Sequence, residues 1–443
     1  MKTLIFTLFT TLSVQFLLCK EINPENRLSY SDSLKRLKID FCKSEREIMD
    51  ELSRYGLDSN NDKIREWENQ LKLDMRVING EKRYFRNAVS NLFRLDSVAN
   101  TQRCLILGPS IDEDIWKRIP RETVLDIINT KGNEGELFAS RDFQMQFRIT
   151  IPYKNILKDD SIIRCWMPAP QFGIDRQINI RISGVQIPDS SNYSFSKHAS
   201  LYFEKELKDQ SSDITFDAEY SFSSYAQHYS LPFLINNEKK QDKWSDQYLY
   251  YTREQDKHVI FTPEIKSLAM GLIDLESDVR TVKNIFDYIS DNIPWCSAIE
   301  YSNIDNIPMY VLRNKHGDCG QVSLLFITLC RYCGIPARWQ SGWMLHPGAE
   351  NLHDWSEVFI NGIGWIPVDV SFGKIKHPDP DVAYFYLGGI DPYRFVVNKD
   401  FSEKFNPEKK FYRSEPVDFQ RGEVETNKRN LYFDQWKYKL LKK

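Results

Sequence analysis

His353-Asp354-Trp355-Ser356-Glu357-Val358-Phe359-Ile360 alternates apolar and polar side chains, and Asn361-Gly362-Ile363-Gly364 follows as turn chemistry. Trp365-Ile366-Pro367-Val368-Asp369-Val370 then reads as the returning strand. A turn centred on Asn361 sets His353 directly opposite Asp369. A turn centred on Gly362 moves the partner by two residues and keeps both side chains on one face. Opposed side chains in such a pair lie about 4.5–5.5 Å apart at Cβ. An unpaired carboxylate between Val368 and Val370 would be costly to bury, so the strand implies a charge-assisted partner for Asp369. An imidazole held at one nitrogen by that carboxylate keeps its other nitrogen for proton transfer. His316 and His346 are weaker candidates for such a base. His316 falls within a turn of Cys319, and His346 is followed by the loop residues Pro347-Gly348.

Upstream, Gly317-Asp318-Cys319-Gly320 opens a run with Val322, Leu325, Phe326, Leu329, Cys330 and Cys333 on one stripe. Asp318 suits an N-cap, Gly334 suits the C′ position, and Pro336 ends the helix predicted over residues 319–333. Cys319 therefore belongs to the first helical turn. Amide N–H groups and the positive end of the dipole favour a thiolate there. Gly317 and Gly320 are expected to keep bulk away so that a substrate carbonyl can approach, and the Cys319 amide can face a developing oxyanion. Cys330-Arg331-Tyr332-Cys333 lies at the far end of the apolar stripe. No second CxxC or paired histidines accompany it, which favours packing cysteines over a metal site.

Four motifs in order resemble the transglutaminase-like superfamily of cysteine acyltransferases and hydrolases. They are Gly317-Asp318-Cys319, Gly334-Ile335-Pro336-Ala337-Arg338, His353-x-Trp355-x-Glu357 and Gly364-Trp365-x-Pro367-x-Asp369. Spacing fits as well, with 34 residues from Cys319 to His353 and 16 from there to Asp369. The resemblance extends upstream over Pro263–Trp295, and Trp166-Met167-Pro168-Ala169-Pro170 with Gln177 is similar to the β domain that often precedes such cores. It implies a Cys319, His353, Asp369 triad, with Trp295 or Tyr301 assisting at the oxyanion and Trp355 and Glu357 supporting the hairpin. It further implies thioester chemistry on a peptide, protein or glycopeptide amide, with no cofactor and no metal. Hydrolysis, protein cross-linking and glycopeptide amidase activity all use this triad. A non-catalytic docking protein that keeps the fold is the alternative of another class.

The predicted fold class is α+β: a papain/transglutaminase-like core, in which the cysteine-bearing helix packs on an antiparallel sheet, preceded by a β-sandwich-like domain and a helical region. Helices are expected at Pro263–Leu272 and Val279–Asn292, and strands at 337–345, 353–360 and 365–372, with Tyr384–Leu387 and Arg394–Val397 completing or covering the sheet. Residues 136–245 carry short alternating runs, with 230–250 as a polar linker. Residues 20–135 read as helical: Ser44 and Glu47 form a capping-box pattern, and further helical runs cover Ile64–Val77 and Tyr84–Leu95. The core-type domain is assigned to 246–443. Residues 1–19, with Lys2 followed by the apolar run Leu4–Leu18, resemble a signal peptide too short to span a bilayer. This predicts a periplasmic, secreted or envelope-anchored protein. Cys19 stands where a lipid-anchored cysteine would, though Leu18 before it is bulky.

Composition is consistent with this. At 443 residues the chain exceeds what one core usually serves. Hydrophobic residues at 41% and charged residues at 27% leave enough apolar surface for cores without staples. A formal net charge of −3 argues against a nucleic-acid partner, which calls for a basic stripe. Eight cysteines spread over this length make no disulfide framework. Loss of Cys19 with a signal leaves seven, so at least one thiol, expected to be Cys319, stays free.

Overall fold

A computed structural model describes residues 28–57, 60–108, 111–184, 193–208 and 210–443, without the side chains of 111–116. The signal-peptide reading of 1–19 and the proposed anchor at Cys19 lie outside these residues. The helical region comprises α1 (Tyr30–Asp40), α2 (Glu45–Ser53), α3 (Asn61–Asn69), β1 (Met75–Ile78), β2 (Glu81–Tyr84), α4 (Ala88–Leu95), α5 (Ser97–Leu107) and α6 (Ile111–Ile127). Ser44 and Glu47 close the expected capping box at α2. The runs Ile64–Val77 and Tyr84–Leu95 are not continuous helices. Each gives part of its length to the β1–β2 hairpin, because Asn79 and Gly80 adopt positive φ and turn the chain.

The β region holds β3 (Leu137–Ile151), β4 (Ile162–Pro168), β5 (Gln177–Ser183), β6 (Tyr193–Ser194), β7 (Ser200–Glu206) and β8 (Ile214–His228). Strands β3 and β8 pair along most of their length and bury alternate residues, among them Phe147, Ile149, Phe216 and Ala218. The polar stretch read as a linker is instead partly helical, with α7 (Leu231–Asn237) and α8 (Asp246–Tyr251). Ser230 and Ser245 cap them with side-chain acceptors, which a composition-based reading overlooks.

The last part contains α9 (Pro263–Leu272), α10 (Asp278–Asn292), α11 (Ile307–Asn314), α12 (Cys319–Tyr332), β9 (Ala337–Met344), β10 (Asn351–Ile360), β11 (Gly364–Val368), α13 (Pro380–Ala383), β12 (Gly389–Ile390), β13 (Arg394–Asn398), β14 (Glu423–Thr426), β15 (Asn430–Leu431) and β16 (Lys437–Lys442). One sheet runs β11-β10-β9-β13, and α12 packs across it with Leu325, Phe326 and Leu329 against Ala337, Val358 and Val368. Residues Cys319–Arg331 are all buried, so α12 is a central helix rather than a surface one.

The chain does not divide where the sequence suggests. Of the C-terminal strands, only β13 joins the sheet under α12. Strand β16 pairs with β3, β12 with β8, and β14 with β4, so the final 55 residues complete both sheets of the sandwich. Residues 384–387 form no strand beyond an isolated Val368–Leu387 bridge. One apolar core is continuous from Trp67 and Phe85 in the helical region through Ile285 to Leu325 and Val368.

Candidate active site

Helix α12 begins as predicted. Asp318 accepts from the Gln321 amide, and the Gln321 side chain returns a bond to the Asp318 N–H. Gly334 takes φ +80°, the left-handed C′ geometry, ahead of Pro336. Cys319 is 8% exposed and borders a cleft of about 250 Å³ lined by Trp295, Tyr301, Asp318, Asp354, Asp418 and Gln420, among others. Both expected oxyanion supports therefore border the cleft. The Tyr301 hydroxyl is engaged, since it donates to Asp318 Oδ1 at 2.7 Å.

The hairpin uses the Gly362-centred register, pairing Ser356 with Val368 and Glu357 with Pro367. Asp369 falls just past the end of β11, on the His353 and Trp355 side. His353 Nε2 lies 2.7 Å from Asp369 Oδ2. Arg394 Nη1 donates to the same oxygen at 2.9 Å, and the Ser371 and Phe372 amides donate to Oδ1. Burial alone would raise the Asp369 pKa, but His353 and Arg394 hold it below the ordinary carboxylate value. Burial lowers His353, with Asp369 acting against that. Phe372 stacks on the imidazole at 4.6 Å. Its Nδ1 is buried with no hydrogen-bond partner.

The thiol and the imidazole do not form the predicted contact. Cys319 Sγ donates instead to Asp354 Oδ2 at 3.2 Å. The reason is the two-residue period of a strand. Asp354 shares its face of β10 with Val358 and Ile360, which pack against α12, whereas His353 shares the opposite face with Trp355. The thiolate expectation changes with it. Burial and the carboxyls of Asp354 and Asp318 push the Cys319 pKa well above its ordinary value, outweighing the helix end. Burial and the neighbouring Asp418 and Asp318 likewise raise Asp354. Asp354 Oδ1 accepts from Gln420 at 2.7 Å, and Asp418 accepts from Ser341 and Asn398.

Gly320 also differs from expectation. A Cβ there would overlap the Tyr301 hydroxyl and crowd Asp354 and Trp339, so the glycine makes room for protein rather than for substrate. All seven described cysteines are free; Cys330 is buried and Cys333 partly buried in packing. His346 is buried, with Nε2 3.3 Å from Asp391, and His316 lies 4.0 Å from Asp74. Trp355 donates to Gln340, and Glu357 pairs with Arg338, both supports of the sheet. Among the described residues there is no cluster suited to a metal ion, and no helix is long and apolar enough to cross a membrane.

Residues 267–370 match the profile of the transglutaminase-like superfamily. This stretch is a transglutaminase-like core. It holds the second half of α9, then α10, α11, α12, the hairpin and all three residues of the expected triad. The uncharacterized protein YebA of Bacillus subtilis (strain 168) is 24% identical over 189 residues, which are 38% of this chain and 25% of that protein. The chain thus spans about a quarter of the length of this relative. Among solved structures, a proposed cysteine protease from Cytophaga hutchinsonii shares 14% identity at TM-score 0.42, covering 69% of this chain and 92% of its own. The periplasmic domain of TgpA from Pseudomonas aeruginosa shares 13% at TM-score 0.28, covering 55% and 94%.

The sequence reading missed Asp354, Asp418, Gln420 and Arg394. Asp354 had a signal: strand parity puts it on the same face as Val358 and Ile360, where an acidic residue is out of place unless it serves a site. Arg394 had one too, as a lone cation opening the apolar run Phe395-Val396-Val397.

Proposed function

We propose that this protein is an exported cysteine-dependent amide or peptide hydrolase working through a thioester. The supporting observation is the clamped imidazole: Asp369 and Arg394 fix His353 through Nε2, which leaves the buried Nδ1 as the ring atom open to a thiol proton. The transglutaminase-like core and the position of Cys319 beside a cleft fit the same reading. In the reaction the Cys319 thiol gives its proton to His353, and the sulfur attacks the amide carbon. The C–N bond breaks as His353 protonates the leaving amine, and water attack then releases the acid and restores the thiol. Entry into this cycle requires Cys319 to leave Asp354 and the start of β10 to rearrange, because His353 sits on the face of that strand turned away from α12. An amine in place of water would give a cross-link, and a glycopeptide amide would be cleaved by the same steps. Export rests on the apolar run Leu4–Leu18.

One observation favours the other class, a docking protein that retains the fold: the thiol is bonded to Asp354 and held protonated. Two measurements separate the readings. A peptide and glycopeptide library analysed by mass should show cleavage that Cys319→Ala lowers by on the order of 10⁵–10⁶ in kcat. Iodoacetamide should label Cys319 at mildly acidic pH if the working enzyme pairs its thiolate with His353. Labelling only at alkaline pH, with no product from any library, would leave the docking protein standing.

A further inference from the structure

Within the segment Trp295–Asn303, Trp295 and Ser297 to Tyr301 form one wall of the cleft, yet its regular structure is limited to a bridge from Trp295 to Gly317 and a single 3-10 turn at Tyr301–Asn303. Its polar backbone is matched from the helical region. Asn91 Nδ2 donates to the Ser297 carbonyl at 3.0 Å, and the Ser297 amide returns a bond to Asn91 Oδ1 at 2.9 Å. Asp40 Oδ2 accepts from the Glu300 amide at 2.9 Å and from Asn303 Nδ2 at 2.7 Å. Asp40 is 0% exposed and Asn91 1%, so their polar atoms need buried partners, which this segment supplies alongside Arg86 and Asp74. Arg86 spans Asp40 and Glu300, and Arg421 reaches Glu300 from the opposite wall. Asn87, one turn before Asn91, itself borders the cleft.

The same segment carries Tyr301. Its hydroxyl donates to Asp318, the cap of α12, and the same hydroxyl fills the space left by Gly320 beside Cys319. We infer that the helical region is a positioning module for the cleft: Asp40 and Asn91 hold Trp295–Asn303, and through Tyr301 and Asp318 they set the surroundings of the Cys319 thiol. The region thereby acquires a role beyond packing, and its polar staples aim at the wall rather than at the sheet. The inference concerns the cleft and holds whichever reaction occurs there.

The test uses the full chain with Asn91→Leu, which removes both bonds to Ser297 at similar size. Amide exchange over 296–304 should accelerate about tenfold or more, as expected when buried hydrogen bonds of an irregular segment are lost. The pH profile of Cys319 alkylation should shift with it. Lys82→Ala, in the same region but paired with Glu68, should leave both unchanged. Should Asn91→Leu fail to fold, Asn91→Ala removes the same two bonds without setting a larger apolar group or a second carboxylate beside Asp74, and shifts in the same direction are expected. A folded variant with native exchange and a native alkylation profile overturns the inference, as does a loss of melting temperature alone. Neither readout uses turnover, so failure here is separate from failure of the hydrolase reading.

Discussion

At the scale of single residues, the chemistry of Cys319 depends on the partner beside its sulfur. Its hydrogen bond runs to Asp354, whose carboxyl is crowded by Asp418 and Asp318. An anion within a few ångströms disfavours a thiolate, and removing it must lower the thiol pKa. Asp354→Asn keeps the shape and a bond to Gln420 while deleting that charge. The alkylation midpoint of Cys319 should therefore fall by roughly one pH unit or more. An unchanged or rising midpoint would show that burial alone holds the proton. The His353–Asp369 pair was legible in sequence because an acidic residue in an apolar strand demands a partner. The separation of Cys319 from that pair was legible in principle, since consecutive residues of a strand leave opposite faces. The hairpin pattern by itself does not indicate which face α12 covers. Arg394 stood out as a lone cation before an apolar run, but its partner did not, because Arg394 comes from a strand 25 residues beyond Asp369.

At the scale of elements, α12 joins good local signals to an unusual demand for space. Its cap, C′ glycine and apolar stripe were all readable, and its bounds agree with the expected helix. Gly320 is the exception, a residue that costs a helix about 1 kcal/mol relative to alanine. Its value lies in the contact it permits, because a Cβ would collide with Tyr301 and press on Asp354 and Trp339. Gly320→Ala should therefore destabilise the protein by about 1–3 kcal/mol despite the better helix propensity. It should also loosen the Tyr301–Asp318 bond. Urea denaturation checks the first expectation. A variant as stable as the parent, or more so, would show that Tyr301 yields without cost. The β1–β2 hairpin and the helices at 231–251 show the opposite case. Short elements set by one turn or one serine cap leave little periodicity to read.

At the scale of the whole molecule, the interlaced sheets explain why the domain boundaries were hard to read: β14 and β16 pair with strands more than 250 residues earlier, and no local pattern carries such a pairing. The same long return brings buried acids together near the cleft, and their protonation makes stability depend on pH. Burial, with Glu300 and Asp418 adding to it, raises Glu415 from 4.5 to about 8, while Arg421 opposes. Burial raises Asp40 and Asp318 to about 6 each. These groups bind protons more tightly folded than unfolded. The stability they contribute is complete below their unfolded values and is lost as pH rises through 6 and then 8. Burial lowers His228 to about 4 and His258 to about 3, so their contribution is complete above 6.5 and is lost as pH falls through those values. Burial would raise Glu300, but Arg421 and Arg86 hold it at about 2, so its contribution too is lost on acidification. These opposing slopes make the protein lose stability both on acidification and on rising above neutral pH. Glu415→Gln keeps the size of the group and removes its titration, so the decline in unfolding free energy between pH 5 and pH 8 should become shallower. Unfolding free energies of both proteins at pH 5 and pH 8 decide the matter. An equal decline in the two would mean that Glu415 is ionised in the folded protein at pH 5, with Arg421 overcoming its burial.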